Sequence, residues 1–328
     1  MRTALLDVIA CPACRGDLIV ADEAGSRDVE SGTLTCVACA AQYPIVRGIP
    51  RFVPSSNYAD NFGFQWNRFR QTQLDSQSGV PISRERFVDQ TGWSPEVLRG
   101  QLVLDVGCGA GRFAEVALSF GAHVVALDYS SAVDACRANL GHHEAIDIIQ
   151  GDIYALPLKQ RAFPFVYCLG VLQHTPDVER ALKALPPVVA SGGAIVVDLY
   201  LKNFSMWLHP RMWLRPFTTR MNPQRLFTLV ERAVPSLLTL SGAVARVPAV
   251  GRYLKRVVPV ADYAGVYPLS DRQRTEWAVL DTFDWFGPAY DQPQTAEALQ
   301  RWLEESGLVG VEVFRSHHLT GRGRGPRA

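Results

Sequence analysis

The sequence predicts an α/β fold: a doubly wound parallel sheet, with a small domain ahead of it and a helical insert after its fifth strand. Three observations predict it. A glycine-rich turn joins the apolar run 102–106 to a stretch with helical spacing, 113–118. Further apolar runs then recur at crossover-helix spacing as far as Tyr200. Two C-x-x-C pairs mark a separate module near the start.

The turn reads Gly107-Cys108-Gly109-Ala110-Gly111. Glycine permits positive φ and lets a ligand approach the backbone with no Cβ in the way. The following helix points free N–H groups back at the turn, so a polar ligand is expected at the carboxyl end of this strand. The glycines are one residue closer than the dinucleotide pattern G-x-G-x-x-G requires. Asp105, just ahead of them, could meet a ligand cation.

In the small domain, Cys11 and Cys14 form one knuckle, and Cys36 and Cys39 form the other. Four thiolates converging on one point make a closed tetrahedral zinc site, whose role is structural because no position is left for water. Cys108, Cys136 and Cys168 fall in core-like segments and read as buried small apolar residues. Spaced cysteines without a signal peptide point to a reducing, cytoplasmic setting. The chain has 328 residues, with 33 Lys and Arg against 32 Asp and Glu. That balance gives no global pull toward nucleic acid. No apolar run is long enough to span a bilayer.

Taken in order, the chain divides at 1–53 (ribbon), 54–98 (linker and lid helix), 99–200 (ligand-binding core), 201–272 (helical cap) and 273–328 (end of the sheet and a basic tail). Between 61 and 69, helical spacing puts Phe62, Trp66 and Phe69 on one face; Gln65 and Trp66 would touch the ligand if this helix is a lid. In the core, run 122–128 ends in Asp128, followed by Tyr129. Run 145–150 leads to Gly151-Asp152-Ile153. Run 163–169 ends at Leu169 and leads to Leu172-Gln173-His174-Thr175-Pro176-Asp177, and 194–200 is the fifth strand. Proline-broken helical pieces follow, including Met206-Trp207-Leu208 and Met212-Trp213-Leu214. They read as a cap over the carboxyl edge, a face for a homodimer, or a membrane-surface helix. Residues 280–290 look like a sixth strand or an extended loop, 295–303 an amphipathic helix, 309–314 the seventh strand, and 321–325 a mobile basic tail.

The turn resembles the first motif of class I S-adenosylmethionine-dependent methyltransferases. With Asp128, Gly151-Asp152-Ile153 and the 172–177 stretch, residues 99–200 resemble that family, most closely its ubiquinone/menaquinone and small-molecule subgroup. Stretches 5–12 and 43–50 resemble the small zinc-ribbon proteins that activate tRNA and protein methyltransferases as partner subunits. The first resemblance implies a seven-stranded, Rossmann-like sheet and S-adenosylmethionine as cofactor. Asp105, Gly107, Cys108, Gly109, Gly111, Asp128, Tyr129, Asp152, Ile153, Leu169, Gln65 and Trp66 would be its binding residues. It places Asp128 at the ribose, Asp152 at the adenine amino group and Ile153 on the ring. The second implies a scaffold or substrate gate.

Methyl transfer from a sulfonium is an in-line displacement with a neutral leaving group. The enzyme aligns the nucleophile and, for some acceptors, removes its proton. His174 falls where the methyl emerges in this family and could act as base; Asp284, Tyr290 and, more weakly, His209 are alternatives. The expected acceptor is a small molecule with apolar bulk: a natural product, lipid or saccharide intermediate. One rival is an RNA methyltransferase using the ribbon to hold its substrate; the lack of a basic stripe with interleaved aromatics argues against it. Another is a non-catalytic domain that holds the cofactor and stabilises a partner. The intact glycine turn and acids argue against that.

Overall fold

A computed structural model of the chain describes residues 1–21, 28–54, 57–203 and 209–327. The ribbon is a four-stranded antiparallel meander: β1 (Leu18–Ala21), β2 (Ser31–Cys36), β3 (Gln42–Val46) and β4 (Ile49–Pro50), in that spatial order. Helices α1 (Asp60–Arg68), α2 (Asp75–Ser78), α3 (Ile82–Thr91) and α4 (Pro95–Leu98) lead into the main sheet.

That sheet has seven strands: β5 (Leu102–Val106), β6 (His123–Asp128), β7 (Ile146–Gln150), β8 (Phe163–Cys168), β9 (Val189–Leu199), β10 (Val309–Arg315) and β11 (Leu319–Arg324). Their order is β10-β11-β9-β8-β5-β6-β7. The pairs from β7 through β9 are parallel; β11 lies antiparallel between β9 and β10. Helices α5 (Arg112–Ser119), α6 (Ala132–Leu140) and α7 (Val178–Lys183) make the crossovers. The chain leaves β5 toward β6 and later returns to β8 on the other side. This reversal opens a crevice at the carboxyl ends of β5 and β8.

Side chains of a strand alternate faces, and here the two faces have different partners. Leu104, Val106, Val125 and Leu127 share one core with Leu5, Ile9, Leu34 and Ile45 of the ribbon. Val103, Val124 and Ala126 pack with Phe87 and Trp93 of the lead-in segment and Phe113 of α5. The ribbon is also tied to the sheet by polar contacts. Phe52 N–H donates to the Gln150 carbonyl at 2.8 Å, and Lys159 N–H to that of Val8 at 2.8 Å. Arg47 and Arg51 both reach Asp134, each at 2.7 Å.

The cap comprises α8 (Pro210–Thr218), α9 (Pro223–Ala245), α10 (Gly251–Leu254) and α11 (Asp271–Phe286). It has its own core, in which Phe227, Val230 and Val234 of α9 meet Ala278 and Phe283 of α11, with Phe69 beside α1 joining them. The Met206-Trp207-Leu208 part of the expected cap lies outside the described residues. Helix α12 (Ala296–Glu305) and the β10–β11 hairpin complete the sheet.

Three expectations are corrected. Residues 280–290 are not a strand: 280–286 continue α11, which starts at a capping box formed by Ser270 and Gln273 and buries Trp277, Leu280 and Phe283. The cap therefore runs past 272 to Phe286. Residues 309–314 form the sixth strand of the sheet in chain order, at its edge, and not the seventh. Residues 321–325 are no mobile tail, because 321–324 are the last four residues of β11, which lies between two partner strands.

Candidate active site

A cavity of about 560 Å³ fills the crevice. Its floor is the turn after β5, Gly107 to Ala110, with Asp128 and Tyr129 after β6, Gly151 and Ile153 after β7, and Leu169 and Gly170 after β8. Phe62, Gln65 and Trp66 of α1 form one wall. Tyr263, Trp277, Asp281, Asp284 and Trp285 of the cap form the other.

Close contact explains two of the glycines. A Cβ on Gly107 would come within 2.3 Å of Val171, and one on Gly109 within 3.2 Å of the Trp66 indole. Both have positive φ, +83° and +53°. Asp128 fixes the turn. Its Oδ2 accepts from Gly109 N–H at 2.9 Å and its Oδ1 from Ser130 N–H at 2.8 Å. Burial raises its pKa against these donors. An acid at the end of β6, apolar Ile153 and Leu169, and a bare backbone suit a nucleoside with a cationic tail.

Of the sequence candidates, Gly107, Cys108, Gly109, Asp128, Tyr129, Ile153, Leu169, Gln65, Trp66, His174 and Asp284 line the cavity; Asp105, Gly111, Asp152 and Tyr290 do not. Asp105 is 2 % exposed and sits opposite Tyr167 on the neighbouring strand. Burial pushes its carboxyl up to about 8, against the nearby Tyr167 hydroxyl. It faces the fold, not a ligand cation. Gly111 makes room for Leu140, which a Cβ would approach within 2.6 Å. Asp152 accepts from Tyr154 N–H at 2.8 Å, capping a short turn.

His174 lies between Phe62 and Tyr200, with ring centroids 5.1 and 5.5 Å away. Its Nδ1 is 3.0 Å from the Tyr290 carbonyl. A carbonyl only accepts, so Nδ1 carries a proton, and in the neutral ring Nε2 is the nitrogen that holds the lone pair. Tyr290 thus contributes its backbone to His174. Asp284 is half-buried on the cavity lining; burial raises its pKa, and the neighbouring His174 opposes the rise. His209 stacks edge-on to Trp285 at 4.7 Å, and burial lowers its pKa to about 4.

Some cavity groups were missed. Arg112 donates through Nε to Ser83 Oγ at 2.9 Å and through Nη1 to Gln73 Oε1 at 2.8 Å, and its guanidinium lies 5.5 Å from the Trp277 ring. Its place directly after Gly111 was the available signal. Asp281 accepts from the Tyr263 hydroxyl and from Gln73 Nε2, and burial pushes its carboxyl up to about 7. Gln73 and Asp281 come from segments far apart in sequence, and no spacing reveals them.

In the ribbon, the four cysteine sulfurs lie within 4.8 Å of one another. Cys11 and Cys39 sulfurs are 3.7 Å apart, those of Cys14 and Cys36 3.4 Å. A tetrahedron with sulfurs about 2.3 Å from zinc has edges of about 3.8 Å, so the set fits that ion. The Tyr43 hydroxyl stands 3.2 Å from Cys11 Sγ. Burial raises the Cys11 thiol, but this hydroxyl and nearby backbone donors outweigh it and bring it down to about 6. Tyr43 is an outer-shell partner that C-x-x-C spacing does not disclose.

Comparison with known proteins agrees with both parts. Residues 104–197 match the family described as a methyltransferase domain, and residues 2–48 the family described as Trm112p-like protein. A ubiquinone biosynthesis O-methyltransferase of Coxiella burnetii is 30% identical over 114 residues, covering 34% of this chain and 49% of the relative. A demethylmenaquinone methyltransferase of Thermobifida fusca is 32% identical over 122 residues, covering 36% and 52%. The chain thus spans about half the length of these curated relatives. A magnesium protoporphyrin IX methyltransferase of Synechocystis, solved with bound S-adenosylhomocysteine, superposes with a TM-score of 0.44 at 15% identity, over 83% of this chain and 97% of that one.

Proposed function

We propose that the chain transfers a methyl group from S-adenosylmethionine to a small molecule with apolar bulk, with zinc held by Cys11, Cys14, Cys36 and Cys39 in a structural role. The observation that carries this reading is the cavity itself. It joins the glycine turn and Asp128 on one side to an aromatic cap wall on the other, with His174 on its lining. The printed activities of the relatives, on quinone precursors, support an acceptor of this class. The cluster of four thiols and three buried free cysteines supports a reducing compartment.

When bound, the cofactor supplies an activated methyl on a sulfonium. Asp128, Tyr129, Ile153 and Leu169 would hold its nucleoside, and the turn would meet its tail. His174 Nε2, with its lone pair held free by the Tyr290 carbonyl, takes the proton of an acceptor hydroxyl or amine. Asp284 supports the positive charge that then forms on the imidazole. Trp277, Trp285 and Tyr200 exclude water and give an apolar ring its contact area. The test is calorimetry with S-adenosylhomocysteine, followed by transfer of labelled methyl groups into a metabolite extract and into total RNA. Label in a small molecule supports the reading; label only in RNA, or tight binding without any transfer, overturns it.

A further inference from the structure

Charge and exposed apolar surface are both segregated in this chain, and into the same segment. Residues 209–266 carry nine Lys and Arg against two acids, although the whole chain is nearly neutral; of the nine, Arg211 and Arg215 turn inward to Asp291. The rest of the chain is therefore acidic. Nineteen large apolar side chains are exposed among the described residues, and twelve of them fall in 209–266. On α8, Phe217 is 71 % exposed and Trp213, one turn earlier, 68 %. On α9, Arg225, Leu229, Arg232 and Leu240 are exposed along a stripe turned away from the buried Leu226, Val230 and Val234. Val250, Leu254 and Val257 continue the exposed apolar surface past α9.

We infer that the outer surface of the cap binds the surface of an anionic lipid bilayer. Basic residues interleaved with exposed large apolar ones, on helices too polar to cross, are what an interfacial element needs. Its apolar side chains enter the acyl boundary while its cations meet acidic headgroups. No helix among the described residues is long and apolar enough to cross a membrane. Two other occupants fit the surface less well. A second copy docked by a two-fold axis would bring two strongly basic surfaces together. Single-stranded nucleic acid needs aromatic stacking platforms, but aliphatic residues outnumber aromatic ones here, eight Leu and Val against Trp213, Phe217 and Tyr253. Of the helices that carry this surface, α8 reaches the cavity through Arg211, and α9 packs on α11, which walls it, so bilayer binding would set the cavity close to a lipid-borne acceptor. The binding claim stands whether or not the acceptor is a lipid.

The test is co-sedimentation of the full chain with phosphatidylcholine vesicles containing phosphatidylglycerol, and with pure phosphatidylcholine vesicles. Binding is expected only with the anionic vesicles, and weakening as salt rises. Each basic residue near the surface is worth about fivefold in partition, so Arg225→Glu with Arg232→Glu should lower it about 25-fold or more. Phe217→Ser, a single exposed change that leaves the charge intact, should weaken binding to the same vesicles at every salt concentration. Both variants should keep the wild-type melting temperature and affinity for S-adenosylhomocysteine, since neither touches the cavity. Equal binding to neutral vesicles, no binding at low salt, or partition unchanged in both variants would overturn the inference. So would sedimentation velocity showing a dimer that the same substitutions dissolve, with no vesicle binding.

Discussion

The ribbon and the cap are both additions to the same sheet, and they are attached in opposite ways. The ribbon shares a continuous apolar core with one face of the sheet, meets the β7 edge through the parallel bridge from Arg51 to Gln150, and contributes none of its described residues to the cavity lining. The cap has a core of its own, touches the site through α8 and α11, and leaves much of its outer surface apolar. One addition stabilises and the other shapes a ligand site. An element that buries its whole inner face against the sheet has little left to offer a substrate. One that bridges over the carboxyl edge, with its own core, can contribute Trp277, Asp281 and Asp284.

The largest effect expected from this contrast follows removal of the ribbon's metal. Structural zinc sites release roughly 10–16 kcal/mol on binding in isolated fingers, and much of that is folding free energy. Cys36→Ser should lose zinc and drop the melting temperature steeply, because the ribbon's core is also the sheet's. The folded fraction should keep its affinity for S-adenosylhomocysteine within a factor of about 10, a difference of about 1.4 kcal/mol. Wild-type protein, fully reduced, that holds less than about half an equivalent of zinc would break the ribbon side of the comparison.

Next in size is His174, at the junction of core and cap. His174→Ala should lower turnover roughly 10²–10⁴-fold with cofactor affinity nearly intact, because proton removal belongs to the transition state. His174→Gln keeps a hydrogen bond of similar reach but cannot take up a proton, so it should lose nearly as much turnover as His174→Ala. A Gln variant with wild-type turnover would reduce His174 to a shaping residue.

A smaller loss is expected at Asp128, on the core side. Asp128→Ala should weaken S-adenosylhomocysteine binding by about 1–3 kcal/mol, the scale for removing a charged acceptor. Part of that loss would come from the turn, since Asp128 also holds Gly109 N–H. Unchanged affinity in calorimetry would remove Asp128 from the ribose.

The same contrast explains what sequence made legible. The turn after β5 and the two cysteine knuckles are local: each is a short run whose residue types are dictated by neighbours a few positions away. The last strand is not. Leu319–Arg324 reads Leu-Thr-Gly-Arg-Gly-Arg, which resembles a loose tail. Gly321 and Gly323 are small because α12 and the chain after it press on the strand: a Cβ at Gly321 would meet Leu303 at 2.6 Å, and one at Gly323 Leu308 at 3.2 Å. Arg322 is held by the Gln90 carbonyl at 2.7 Å. α11 was misread for a related reason. Its aromatic residues favour a strand locally, but its capping box and its packing against α9 decide the matter, and α9 lies more than twenty residues upstream. In the site, Asp105 was expected at the ligand by its place before the glycines. Strand alternation and the register with Tyr167 put it inside the sheet instead.

That last correction gives the smallest and most specific prediction. Asp105 has its folded-state pKa raised to about 8 by burial, well above the unfolded value of about 3.9. Between these two values the folded chain holds a proton that the unfolded chain has released. Stability therefore falls as pH rises through this window, by up to about 1.4 kcal/mol per pH unit for one proton, and levels off above about 8. Asp105→Asn mimics the protonated side chain and removes the titration. Its melting temperature should approach that of wild type only below about pH 4, already exceed it at pH 5 and exceed it increasingly toward pH 8, with cofactor affinity unchanged because Asp105 does not line the cavity. Denaturant or thermal unfolding of both proteins across pH 5–8 measures the divergence. Parallel curves would mean the carboxyl is ionised in the folded chain, and a large loss of cofactor affinity in Asp105→Asn would return it to the ligand.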